Sequence, residues 1–220
     1  MQWLLVLAFS VAVSSVPLSS RDGSCSAADE TKTKSCLSPY YSSFGISVSS
    51  MPPFSVYVND YEKILTQFGT GGVSVVCQYV AALDSCLGPL KDSACMQPSG
   101  FQQMLPSLDF VNASQYSMEH AVRTWQCGHQ DQIVSNLPCL KNVAHNHFGG
   151  LHSCAVQLFN ELSKGQETCS AFDDFADCMM DLYIGVCGVG VKSFICNSLE
   201  VALNFDTSRE CAAKLPKCNA

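Results

Sequence analysis

Apolar residues recur along most of this chain at helical spacing. The clearest run is Leu151, Cys154, Ala155, Leu158, Phe159 and Leu162, at i, i+3, i+4, i+7, i+8 and i+11. That stripe covers one face of an α-helix, and Gly165 supplies a stop. Tyr57, Tyr61, Ile64, Leu65 and Phe68 mark another helix over 57–68, ended by Gly69, Gly71 and Gly72. The pattern predicts further helices over 73–87, 115–126 and 194–204, with Tyr116, Val122 and Trp125 as the buried side of the second. Two shorter pieces, 133–137 and 140–147, flank Pro138. Residues 21–56 have no period of 3.6 and are rich in Ser, Pro and aromatics. They read as an irregular arm pinned by Cys25 and Cys36, with Tyr40, Phe44 and Phe54 packing on the body. Residues 88–112, with Pro89, Pro98 and Pro106, read as a long connection. No strand pattern stands out apart from the Val-rich run at 73–76.

Cysteine punctuates the helices at a fixed step. Cys169, Cys178, Cys187 and Cys196 are nine residues apart, and Cys77, Cys86 and Cys95 repeat that step. Nine residues turn a helix through about 900°, so successive rungs face opposite sides and must bond to different neighbours. Gly88-Pro89 after Cys86, and Gly188 and Gly190 after Cys187, are helix breakers. Each ladder therefore predicts a helix, a tight turn and the start of another helix. Three rungs of the two ladders stand 92 residues apart, which fits either an internal repeat over 73–165 and 166–218 or two stapled helical hairpins that reached similar spacing independently. The expected fold is an all-α, disulfide-stapled helical bundle, the cysteine-rich helical domain spanning 57–220.

The N-terminus changes the compartment. Residues 1–20 carry an apolar run from Trp3 to Val13, then small residues, with no charge before Arg21. This reads as a secretory signal peptide, although it lacks a basic residue at its start. It is too short for a membrane span, and no other stretch is long enough. The cysteines, at 25, 36, 77, 86, 95, 127, 139, 154, 169, 178, 187, 196, 211 and 218, number 14, all beyond the leader. In an oxidising compartment Cys25, Cys36, Cys77, Cys86, Cys95, Cys127, Cys139, Cys154, Cys169, Cys178, Cys187, Cys196, Cys211 and Cys218 imply seven disulfides, with their connectivity open. The net charge of −7 disfavours nucleic acid or an anionic membrane as partner.

Candidate chemistry is sparse. Gly185 and Gly190 have the spacing of a phosphate loop, but Val191 intervenes before Lys192 and Ser193 and moves the lysine off the loop. His129, His145, His147 and His152 lack the spacing of a zinc site, and read as surface histidines. Asp173, Asp177 and Asp181, at i, i+4 and i+8 with Asp174 beside them, form an acidic stripe opposite Phe172, Phe175 and Met179. It is a candidate docking patch for a basic partner, weighed against an ordinary solvated face. No nucleophile elbow or zinc motif occurs, and paired cysteines are not nucleophiles. We expect no enzyme, no metal and no cofactor. Asn112-Ala113-Ser114 is an N-glycosylation sequon, and Ser99-Gly100 is the dipeptide of glycosaminoglycan attachment without close acidic neighbours.

The spacing of Cys77, Cys86 and Cys95 after an aromatic helix, then Trp125-Gln126-Cys127-Gly128 and Cys139-Leu140, resembles secreted cysteine-rich helical families of nematodes. These include the chondroitin-proteoglycan type-4 domains and related uncharacterised cysteine domains. The resemblance covers most of residues 60–210 and implies an extracellular protein without known catalysis. The expected function is a non-catalytic secreted module that binds an extracellular protein or matrix component. The alternative is a carrier enclosing a small hydrophobic ligand.

Overall fold

Ladder cysteines that share one helix bond to different neighbouring helices, as their spacing requires. The computed structural model describes residues 24–163, 168–206 and 218. The regular elements among them are all helical: nine α-helices with short 3-10 turns. The chain divides into two compact units, one of residues 20–130 and one running from Asp131 to the C-terminus. The leader expected at 1–20, the stop expected at Gly165 and Cys211 lie outside the described residues.

The first unit holds α1 (Ala27–Ser42), α2 (Phe54–Phe68), α3 (Thr70–Leu87), α4 (Pro98–Met104) and α5 (Phe110–Cys127). α1 corrects the expectation of an irregular arm over 21–56. Ser26 caps it, its Oγ accepting from the Asp29 N–H at 3.2 Å. Its buried residues are Thr33, Cys36, Leu37, Tyr40 and Tyr41, a helical stripe written in threonine, cysteine and tyrosine. Pro39 sits inside α1 near its end, where it removes a single helical hydrogen bond. The connection over 88–112 likewise contains regular structure, the short helix α4.

α3 carries two rungs. Cys77 bonds to Cys127 on α5, and Cys86 bonds to Cys36 on α1. α3 ends at Leu87, and Gly88 turns the chain with φ +54°, a conformation that L side chains rarely adopt. Cys95, in the next 3-10 turn, bonds back to Cys25.

The buried Gly100 packs α4 onto that turn. A Cβ there would strike the Ala94 carbonyl oxygen and lie 2.7 Å from Cys95 Cα, both rigid backbone. Gly100→Ala is therefore expected to destabilise the first unit by about 1–3 kcal/mol or more, as overpacking does, in a urea titration followed by circular dichroism. Ser99→Ala, at the exposed neighbour, should leave the midpoint unchanged. Equal midpoints for both variants would contradict this packing role.

The second unit holds α6 (Gln130–Asn146), which begins at the unit boundary, α7 (Phe148–Ser163), α8 (Thr168–Cys187) and α9 (Lys192–Asp206). α6 runs unbroken through Pro138, so the two pieces expected around that proline are one helix. The stripe on α7 is buried as expected at Leu151, Cys154, Ala155 and Leu158. α8 carries three rungs without a break. Cys178 bonds to Cys154 on α7 and Cys187 to Cys139 on α6, while Cys169 is also oxidised. Gly188, with φ +78°, ends α8, and Cys196 on α9 bonds to Cys218.

Two described bridges in each unit are nested in the same order, while the third differs: Cys77–Cys127 crosses the nested pair and Cys196–Cys218 lies beyond it. In the first, Cys25–Cys95 encloses Cys36–Cys86. In the second, Cys139–Cys187 encloses Cys154–Cys178. The closing rungs are the residues that stand 92 apart, Cys95 with Cys187 and Cys86 with Cys178. In the first unit the nested bridges tie α1 and Cys25 ahead of it to the ladder, and in the second they tie α6 and α7 to it. None of the six described bridges crosses the boundary at residue 130.

Candidate functional site

The densest polar constellation among the described residues lies inside the first unit, on α5. Its helix has no single wet face: Ser114, Gln115, Ser117, Glu119, His120, Arg123 and Gln126 are all buried. A buried charge is tolerated only when paired and hydrogen-bonded, and here it is both. Glu119 Oε1 accepts from Arg123 Nε at 2.5 Å and from the Tyr57 hydroxyl at 2.8 Å. The Tyr57 hydroxyl meets the Tyr40 hydroxyl at 3.1 Å. The Arg123 guanidinium carbon lies 3.4 Å from the centre of the Tyr61 ring, a cation–π contact in a desolvated setting. Glu119 Oε2 is buried without a hydrogen-bond partner. The network joins α1, α2 and α5 through one carboxylate.

Around it stand edge-to-face aromatic pairs: Tyr41 with Tyr57 and Tyr116, Phe44 with Tyr57 and Tyr79, and Phe54 with Tyr116. A second polar contact ties α5 to α3. His120 Nε2 lies 2.9 Å from Asp84 Oδ1, which the Thr124 hydroxyl also approaches at 3.4 Å. With Glu119 wholly buried and Arg123 nearly so, the charged groups of this network are occupied in holding helices together.

Burial, and next the Glu119 carboxylate, push the Tyr40, Tyr41 and Tyr57 hydroxyls well above the ordinary phenol range. Tyr116 rises for the same two reasons, and Tyr61 rises by burial against the opposing pull of Arg123. Burial works against the charge on Arg123, but Tyr61, Glu119, Tyr57 and Tyr40 outweigh it, so the guanidinium holds its proton more tightly than usual. A raised folded-state pKa contributes stability that is full below the unfolded tyrosine value, about 10, and is lost as pH climbs toward the folded value. Alkaline titration should therefore show phenolate absorbance from these five tyrosines appearing together with loss of helix. Smooth titration of all of them near pH 10 with helicity intact would contradict the buried network.

The residues singled out in the sequence fall elsewhere. Asp174, Asp177 and Asp181 are exposed on α8, while Asp173 is half-buried, and Phe172, Phe175 and Met179 are buried behind them. Burial first, then Asp177 and Asp174, raise the Asp173 carboxyl above its ordinary value. The exposed acidic face is thus Asp174, Asp177 and Asp181, while Asp173, the first residue of the i, i+4, i+8 stripe, turns one carboxylate oxygen inward. His129 stacks on Trp125 with ring centres 4.3 Å apart, and its Nδ1 lies 2.8 Å from the Trp125 carbonyl oxygen. His152 stacks on Phe148. Among the described residues no group of three or more His, Cys, Asp or Glu is arranged to hold a metal. Gly185 lies within α8, so the phosphate-loop spacing falls on helix.

Asn112 stands in the first turn of α5. Its Oδ1 accepts from the Phe54 N–H at 2.7 Å, and its Nδ2 donates to Asp109 Oδ1 at 2.8 Å. The Asn112 side chain thereby fastens the start of α2 to the start of α5, and Ser114 of the sequon is buried. A shallow groove between α8 and α9, lined mostly by Ala176, Met180, Leu199 and Leu203 with Cys196, Cys218 and the charged Glu200, has a volume of about 10 Å³. That is room for about one water molecule, far below the roughly 300–1,000 Å³ of ligand pockets.

Glu119, Arg123, His120 and Asp84 were not singled out by sequence. Glu119 and Arg123 at i, i+4 have the signature of an exposed helical ion pair. The available signal was the tyrosine content of residues 40–61, which needs polar partners once buried.

No family model, curated protein or solved structure matches this chain.

Proposed function

We propose that this chain is a non-catalytic extracellular module that binds a protein or matrix component, exported by the leader at 1–20. The observation that carries this reading is the stapling. Six described bridges divide evenly between two units of ordinary size, a density found in proteins of oxidising compartments. The buried charges of α5 serve the core, which leaves the exposed face of α8 as the recognition surface. Asp174, Asp177 and Asp181 there offer a one-signed stripe to a basic partner. Glycan transfer at Asn112 would have to precede folding, because the folded helix engages both ends of that amide. Carriage of a small hydrophobic ligand is the second reading; the α8–α9 groove is its candidate site and would have to open well beyond its water-sized space.

The test is secretion from a eukaryotic host, followed by binding to a panel of purified extracellular-matrix proteins and by mass spectrometry of co-purified small molecules. The module reading expects salt-sensitive binding to a basic panel member, weakened at least several-fold in the Asp174→Asn/Asp177→Asn/Asp181→Asn variant. Retention inside the cell would overturn it. A stoichiometric lipid released on denaturation, with no protein bound, would replace it by the carrier.

A further inference from the structure

We draw no further inference here: the strongest candidate, the uncharged exposed face of α3 formed by Gly71, Ser74, Gln78, Ala81 and Ser85, is an unpartnered stripe of small residues, and nothing in the structure shows what covers it.

Discussion

Replacing Arg123 with methionine lowers the stability of the first unit by about 3–5 kcal/mol, the usual consequence of stranding one partner of a buried ion pair. The physical reason is asymmetric. The Glu119 carboxylate keeps the Tyr57 hydroxyl, but it loses the Arg123 guanidinium while remaining fully buried. The Tyr61 ring loses the cation above it as well. The second half of the prediction is more discriminating. Arg123→Met combined with Glu119→Leu removes both charges, and most of the lost stability should return. Urea unfolding followed by the fluorescence of Trp125, on the same helix, reads both variants. If the double variant is as unstable as the single, the cost lies in packing and the account of a charge-paired core fails.

Opening the Cys36–Cys86 bridge is the second large effect. The bonded residues are 50 apart in sequence, and a closed loop of that length restricts the unfolded chain by about 4 kcal/mol in the chain-entropy view. Cys36→Ala/Cys86→Ala should lose about 2–4 kcal/mol, since measured values fall short of that limit. Cys36 is fully buried and Cys86 lies on the helix that also carries Cys77, so the change frees α1 from α3 without touching the bridge to α5. The loss should be confined to the first unit. The helicity of α6–α9 and the described bridges that join them are expected to stay native, because no described bridge links them to α1 or α3. Unfolding of both units together in this variant would mean that they are not separately stapled.

The ladder was the most legible part of the chain because its geometry leaves little freedom. A nine-residue step on a helix forces alternate sides, and the glycines at 88 and 188 mark where each helix must stop. The connectivity was not legible: spacing fixes which way a rung points and says nothing of which helix lies there. α1 was hidden by its chemistry. Its buried positions, 33, 36, 37, 40 and 41, have helical spacing, but Thr33, Tyr40 and Tyr41 do not read as apolar, and Pro39 reads as a breaker. α6 was split by Pro138 for the same reason, although one missing hydrogen bond does not end a helix whose neighbours remain packed. On α5 the failure was different. Trp125 was expected to be buried and is only half so, whereas Glu119 and Arg123 are deep in the core. Pattern reading assigns charge to the surface, and only tertiary pairing reverses that. The exposure of Asp174, Asp177 and Asp181 was readable from their helical period, but the partial burial of Asp173 was not, because it depends on what packs beside α8.

The most direct measurement is peptide mapping of the oxidised, unreduced protein by mass spectrometry. It should return Cys25–Cys95, Cys36–Cys86 and Cys77–Cys127 from the first unit. From the second it should return Cys139–Cys187, Cys154–Cys178 and Cys196–Cys218. A bridge joining a cysteine before residue 130 to one after it, or free thiols at these twelve positions, would contradict two separately closed helical units with the same nested pairing.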